Sequence, residues 1–497
     1  MDGIKSLTPT QRLTVAFNLK LSHKAKPTRR VLIPKPGTNE KRPLGIPTMK
    51  ERARQALVKQ AMEPEWEAKF EPNSYGFRPG RSAHDAIGTI FSSVKQSAKW
   101  VLDADIAKCF DKINHEKLVD KLQTYPTLKR QVKAWLKSGV IQGRAWFPTN
   151  EGTPQGGVIS PLLANIALHG MEERVKQFAE TLPGKKRDNR KALSLIIRDW
   201  LAEMGLELKP SKTKVIHTKS EDRDFKFLGF NIAQYEAGVN HSVKSTNGKL
   251  LGFKTLIKPD KEKVKAHIKR LGEVIARHKS TPQAALIKGL NPIIRGWCKY
   301  YSTQVSKETF SYCDFILYQQ LRRWAKRRHP NKNAQWVTNK YWHSDGNRNW
   351  VFGVRAEDSL MKLTRHSDTK IVRHVKVKGM KSPYDGDLTY WSSRMGKHPE
   401  MPNEKATLLM KQKGKCNYCG QYFRDRDLME IDHVIPKALG GSNRRDNKQL
   451  LHRHCHDRKT AADLISIRDK NHSIEEPDEV KVSRPVLKTS RTGDCPA

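Results

Sequence analysis

The run Val101 to His115, VLDADIAKCFDKINH, limits the fold of this chain more than any other stretch. Val101, Leu102 and Ile106 predict an apolar β-strand, followed by a Phe and a turn into a helix. Asp103 and Asp105 interrupt that strand. An ionised carboxylate is costly to bury unless a metal or a cation pairs with it. A second run, Gly152 to Gly170, GTPQGGVISPLLANIALHG, supplies a Gly-rich turn that opens an apolar helix beyond Ser160-Pro161.

At 497 residues the chain has room for three or four domains, on a prior of about 100–200 residues each. Its 94 Lys+Arg against 51 Asp+Glu leave a formal net charge of +43. That excess suits a polyanionic partner and salt-dependent binding, the alternative being a solvated basic surface. No apolar run of about 18 residues predicts a membrane span. The N-terminus, MDGIKSLTPTQRL, has neither an apolar signal core nor an Arg-rich transit pattern, so the chain is expected not to be secreted. Cys109, Cys298, Cys313, Cys416, Cys419, Cys455 and Cys495 form no evenly spaced framework. Three of them cluster beside His near the C-terminus, which points to a reducing compartment and a metal.

The two opening runs resemble motifs A and B of a reverse transcriptase, specifically the polymerase encoded by group II introns. The resemblance implies that Asp105 is the metal-binding aspartate of a two-Mg2+ polymerase site. It implies that Phe110 excludes a ribose 2′-hydroxyl, and that Gln155 and Gly156 belong to motif B. Lys35 and Arg42 flank a predicted hairpin and resemble phosphate-binding residues of the fingers; the alternative is two exposed cations. Glu51 to Glu63 predicts a helix with Pro64 as its stop. Asn73 to Ile87, NSYGFRPGRSAHDAI, resembles the family's second sequence block. Arg78 there either forks onto phosphate or closes a structural turn through an internal Arg–Asp pair.

One departure stands out. The family takes its other catalytic carboxylates from a Tyr-x-Asp-Asp hairpin, and no Asp-Asp dipeptide occurs anywhere in this chain. Lys191 to Ile196, KALSLI, resembles the strand that should lead into that hairpin. It runs directly into Ile197 to Gly205, IRDWLAEMG, which resembles a later helix. An in-frame deletion near 196–197, of roughly two to three dozen residues, accounts for this. Asp199 lies on an amphipathic helical pattern and offers no replacement. DNA polymerisation is therefore expected to be lost. Met1 to Ile4 resembles a VDGI that lies inside such proteins, so an N-terminal extension is expected to be missing, or the start codon misplaced.

Between residues 281 and 330 the chain turns strongly basic, with only Glu308 and Asp314 as acids. Arg322, Arg323, Arg327 and Arg328 are candidate phosphate contacts. Trp297, Tyr300, Tyr301 and Trp324 either stack on bases or form the core of a helical bundle. The region resembles the thumb, or maturase domain X, which grips intron RNA. Ile371 to Met380 and Lys381 to Trp391 resemble the family's short DNA-binding segment.

The C-terminal region carries its own signal. Cys416-x-x-Cys419 and His452-x-x-Cys455 offer soft ligands at the spacing of a closed structural zinc site. Between them lie EIDHVIP (Glu430 to Pro436) and RDNKQLL (Arg445 to Leu451), with His456 directly after Cys455. This arrangement resembles an HNH nuclease; a zinc ribbon with incidental histidines is the alternative. The resemblance makes His433 the general base and Asp432 and His456 ligands of Mg2+ or Mn2+. Asn447 would orient the loop carrying His433 or complete the metal shell, and Lys459 would contact phosphate.

The expected fold is α+β and multidomain. Residues 1–240 would form truncated polymerase fingers and palm, 241–365 an α-helical thumb and maturase domain, and 366–400 a DNA-binding segment. Residues 401–470 would form a ββα-metal HNH domain with structural zinc, and 471–497 a disordered tail. The expected partners are group II intron RNA and a double-stranded DNA target, without a membrane, and the family admits a homodimer. The expected location is the bacterial cytoplasm and nucleoid, or an organellar stroma or matrix. The expected activities are help in splicing and endonucleolytic DNA cleavage. The alternatives are a nuclease alone or a non-functional relic.

Overall fold

Within the first 150 residues, helices and short strands alternate: α1 (Pro9–Phe17), β1 (Thr28–Pro34), β2 (Lys41–Ile46), α2 (Met49–Lys69), α3 (Ala83–Val94), β3 (Trp100–Asp103), α4 (Cys109–Lys112), α5 (His115–Lys121), α6 (Pro126–Leu136), β4 (Val140–Gln142) and β5 (Ala145–Phe147). This computed structural model describes residues 7–34, 39–181, 190–219, 225–238, 243–356, 359–398, 401–424 and 427–472. Lys35 and the expected tail from residue 473 onward lie outside them. The hairpin of β1 and β2 joins β4 and β5 in one sheet of order β2-β1-β4-β5, with Ile33 opposite Arg42. Helix α2 does not stop at Pro64, as its sequence suggested. Val58, Met62, Trp66 and Phe70 recur every four residues and are all buried. Burying each contributes about 1.5–3 kcal/mol, which together outweighs the roughly 3 kcal/mol that an internal proline costs.

Next come α7 (Ser160–Leu168), α8 (Met171–Thr181), α9 (Arg190–Glu203) and β6 (Lys214–His217). Here the expected strand at Lys191 to Ile196 is not formed: α9 runs as one helix through 196–197. Leu201 and Met204 are buried in the core that also holds Ile113, Leu118, Trp135 and Leu163, with Ile197 and Trp200 packed against it. That helical spacing buries a face, whereas a strand would need a partner. Among the described residues β3 pairs only with β6, Leu102 opposite Val215 and Asp103 opposite Lys214, so its other edge is open.

A second core gathers β7 (Phe225–Phe227), β8 (Phe230–Glu236), β9 (Phe253–Pro259), α10 (Lys261–Arg277), α11 (Gln283–Tyr301), α12 (Lys307–Arg328), α13 (Ala334–Tyr341), β10 (Trp342–Asp345), β11 (Arg348–Ala356) and β12 (Ser359–Lys362). Leu286, Leu290 and Ile294 form a buried stripe of α11 in the same core as Leu317 and Leu321 of α12.

The chain divides into two compact units, Met1–Met380 and Lys381–Ala497. The boundary falls inside 366–400, so that stretch is not one segment. Residues up to 380 are tied into the first unit: the Val372 N–H donates to the Ser302 carbonyl at 2.9 Å, and the Val377 N–H to buried Asp85 Oδ1 at 2.8 Å. The second unit contains α14 (Leu388–Met395), α15 (Asn403–Lys411), β13 (Met429–His433), β14 (Lys448–His452) and α16 (Arg453–His472), so two antiparallel strands lead into a helix. Its small core holds Leu408, Leu409, Phe423, Leu450 and Leu451. Among the described residues no helix is long and apolar enough to cross a membrane.

Candidate active site and nucleic-acid interface

The apolar strand β14 places His452 at its end, and the first turn of α16 places Cys455 beside it. The hairpin before β13 brings in Cys416 and Cys419. One ligand atom from each of these four lies within 4.8 Å of all the others, and no other group of three or more His, Cys, Asp or Glu gathers so among the described residues. Burial pushes the Cys455 thiol up, with Cys419 and Cys416 adding to it. For Cys416 backbone hydrogen bonds overcome the same burial and lower it. Three crowded thiols and an imidazole are the donor set that a divalent zinc ion neutralises, so these residues fit it. His452 Nε2 lies 3.3 Å from Asp427 Oδ2, a carboxylate that would hold the imidazole's orientation.

His433 ends β13, and its Nε2 lies 3.1 Å from Asn443 Oδ1. With Asn443 accepting there, the neutral ring keeps its lone pair on Nδ1. Asn447 uses its whole amide on one loop: Oδ1 accepts the Ile435 N–H at 2.9 Å, while Nδ2 donates to the Ile435 carbonyl at 2.9 Å and the Ser442 carbonyl at 2.8 Å. Asn447 thus orients the residues just after His433. Asp432 lies opposite Gln449, whose Nε2 donates to Asp432 Oδ2 at 3.0 Å. The same oxygen lies 3.1 Å from Lys459 Nζ, which also meets Asp463 Oδ2 at 2.5 Å. Burial pulls the Lys459 ammonium down, but the two carboxylates outweigh it and raise it. Lys459 is thus engaged with acids rather than poised for phosphate. His456, half-buried, faces its neighbour Asp457 at 3.4 Å. Asp432 and His456 belong to no group of three or more such ligands gathered together among the described residues.

In the first unit the two opening sequence runs do come together. The Thr153 N–H donates to the Phe110 carbonyl at 2.6 Å, and Gln155 Nε2 to Asp111 Oδ1 at 3.2 Å. Gly152, at φ +82°, packs so closely that a Cβ would lie 2.7 Å from the Asp111 backbone. A cleft of about 180 Å3 opens there, lined by Arg30, Gly45, Phe110, Asp111 and Gln155. Gly156 is exposed beside it. Asp105 is half-exposed, and its Oδ2 lies 3.1 Å from Lys212 Nζ. No acidic cluster surrounds it among the described residues.

The basic candidates divide. Arg42, Arg322, Arg323 and Arg327 are exposed. Arg78 is 4 % exposed and forks onto Glu67 at 2.9–3.1 Å, while its Nη1 donates to the Glu71 and Ser74 carbonyls. Arg328 donates to the Lys279, Thr281 and Tyr341 oxygens and stacks on Trp324. Arg78 thus forms the internal ion pair that its sequence left open as the alternative, with Glu67 in place of an Asp, while half-buried Arg328 has its Nε and Nη1 engaged by these oxygens. Trp297, Tyr300, Tyr301 and Trp324 all belong to the core or pack against it. Asn443, Gln449, Asp427 and Asp463 went unread; only the i,i+4 spacing of Lys459 and Asp463 was a usable signal.

The chain matches the reverse transcriptase (RNA-dependent DNA polymerase) family over residues 33–232. It matches the group II intron maturase-specific domain over 264–342, and HNH endonuclease over 416–462. It is 36% identical to Protein YkfC of Escherichia coli over 203 residues, 38% of this chain and 52% of that protein. It is 39% identical to the group II intron-encoded protein LtrA of Lactococcus lactis over 155 residues, 31% of this chain and 26% of that protein. A 91 kDa protein in the cob intron of Schizosaccharomyces pombe is 36% identical over 157 residues, 31% of this chain and 19% of its own. The chain thus spans about half, or less, of the relatives it matches. Carrying those three domains in that order, it belongs to the group II intron-encoded reverse transcriptase and maturase proteins with an HNH endonuclease domain.

Proposed function

We propose that this protein binds its host intron RNA to assist splicing, and cleaves a double-stranded DNA target with its HNH domain, without polymerising DNA. The observation that carries this reading is a contrast between two sites. Asp432 and His433 at the end of β13, with Asn447 holding the loop that follows, lie in the same unit as the gathered ligands Cys416, Cys419, His452 and Cys455, whereas Asp105 pairs with Lys212 and, with Asp103 nearby, belongs to no group of three such ligands among the described residues. Two-metal polymerisation needs several carboxylates at one place. Splicing by a group II intron is RNA chemistry and needs from the protein only a surface that holds the fold. The first unit supplies the polymerase-like and maturase portions, and residues 366–400 would contact DNA.

In the cleavage step His433 Nδ1 accepts a proton from water as the water oxygen attacks phosphorus and the bridging ester oxygen leaves. Asn447 holds the loop so that this nitrogen keeps its aim, and Asn443 fixes the tautomer. Asp432 and His456 would hold Mg2+ or Mn2+, which supplies charge neutralisation at the phosphate and the leaving oxygen. Lys459 would have to release both Asp432 Oδ2 and Asp463 Oδ2 before meeting DNA phosphate. Cys416, Cys419, His452 and Cys455 would hold zinc as a structural ion.

The test uses host-intron RNA with flanking exons at near-physiological Mg2+, and a plasmid carrying the insertion site. Splicing faster than RNA alone, retained in His433→Ala and lost when Arg322, Arg323 and Arg327 are neutralised, is the expected result. Mg2+- or Mn2+-dependent nicking should vanish in His433→Ala. Template-primed synthesis that depends on Asp105 would overturn the loss of polymerisation. The open edge of β3 favours a second reading, a relic whose damaged first unit aggregates. A soluble, folded protein with either activity excludes it.

A further inference from the structure

The aromatic residue best placed to meet RNA lies outside the basic stretch that its sequence advertised. Trp336 sits on the first turns of α13, whose N-cap Asn333 accepts the Trp336 N–H at 2.9 Å. Buried Val337 and Tyr341 anchor the helix from its other side, leaving Trp336 38% exposed. Lys332 Nζ lies 5.4 Å and Lys340 Nζ 4.8 Å from the Trp336 ring centroid. His329 meets the ring edge-on at 4.8 Å and is itself held by the Tyr341 hydroxyl at 2.8 Å. Lys326 and Arg327 are exposed at the end of α12, just before this turn. The chain carries no acid between Asp314 and Asp345.

We infer that Trp336 is a stacking platform for an unpaired RNA base, with Lys332 and Lys340 gripping the phosphates on either side. The inference deepens the maturase reading and rests on it for the identity of the RNA. An indole face is hydrophobic enough to hold a base, and the lysines that now sit over it are mobile side chains that phosphate attracts away. A protein partner would have to bring acids to match these cations, one by one. A nucleic acid offers phosphate at regular spacing together with π-faces, and both halves of the site are used. Double-stranded RNA presents no such face, so the site selects loops, bulges or ends.

The experiment measures binding of the full chain to three labelled 12-mers: oligo(A), an abasic ribose–phosphate strand and oligo(dA). Trp336→Ala should weaken oligo(A) by about tenfold or more and leave the abasic strand unchanged, with Trp336→Phe retaining most affinity. Replacing Lys332 and Lys340 by Ala should reduce the slope of log K against log salt by about 1.4, roughly 0.7 for each single-strand phosphate contact. Equal losses on oligo(A) and the abasic strand, or no loss on either, would overturn the platform. Oligo(dA) bound as tightly as oligo(A) would overturn the assignment to RNA. Base-dependent binding through Trp336 in a protein that fails to speed splicing supports the platform and overturns the maturase reading alone.

Discussion

Arg78 shows how far a single residue can be read from sequence. Its flanking glycines announced a turn, but its partner, Glu67, is eleven residues upstream on another element, and no local pattern names it. Both side chains are about 1% exposed, so removing the cation strands a buried carboxylate. Arg78→Ala should destabilise the first unit by about 3–5 kcal/mol in urea unfolding, whereas Arg322→Ala should change it by less than about 0.5 kcal/mol. Unchanged stability with weaker RNA binding would return Arg78 to the nucleic-acid surface. Glu71 gives a pH signature in the same region. Burial alone would raise its carboxyl, but hydrogen bonds from His169 and the Gly170 N–H hold it down at about 2, against 4.5 as a free side chain. A depressed folded pKa stabilises fully above about 4.5, and that contribution is lost as pH falls through about 2. Glu71→Gln should therefore flatten the acid limb of the stability curve between those values, by about 2–3 kcal/mol in all. In the second unit, Asn447→Ala should leave zinc content unchanged but slow nicking about a hundredfold, because a catalytic group misplaced by about 1 Å loses that much. Nicking at the wild-type rate would remove Asn447 from any positioning role.

At the scale of elements, what was legible was what the chain encodes locally. Cys416 and Cys419, like His452 and Cys455, announce themselves because ligand pairs lie within one turn or hairpin. Asn417, between the two cysteines, then ties the first pair to β14, its N–H donating to the Leu450 carbonyl and its Nδ2 to Gln449 Oε1. A strand is defined by its partner, which Lys191 to Ile196 cannot announce; the stretch instead continues α9, with Leu195 exposed and Ile197, Trp200 and Leu201 meeting the core. Helix α2 passed through Pro64 for a similar reason, its buried stripe being longer than the local stop signal could reveal. Nothing local sets Trp336 apart from Trp297, Tyr300, Tyr301 and Trp324, which belong to the core or pack against it; only burial separates them. The metal cluster leads to a prediction at this scale. The second unit's core is small, so its strands and α16 would depend on an ion held by the four gathered ligands. A zinc chelator, or Cys416→Ser, should abolish its cooperative melting transition in calorimetry, while the first unit's transition stays within a degree or two. A second unit that melts unchanged without zinc would make the cluster incidental.

For the whole molecule, the net charge of +43 is large enough to hide specificity. Every polyanion will bind such a chain at low salt, so an affinity for intron RNA measured there says little. Counterion release makes the two contributions separable: a surface neutralising about 6–10 phosphates loses roughly 10³–10⁵ in affinity between 50 and 200 mM salt. Base stacking and shape recognition carry almost none of that dependence. Binding to a structured RNA of unrelated sequence should therefore collapse along that steep line. Binding to the host intron should follow the same slope but remain tighter at every salt concentration. Competition binding across a salt series measures both slopes on one sample. Parallel lines separated by a constant factor are what a maturase gives, because the factor is the part of the free energy that charge does not supply. Coincident lines would mean that the basic surface alone accounts for binding, and would leave DNA cleavage as the activity to which the chain's charge contributes.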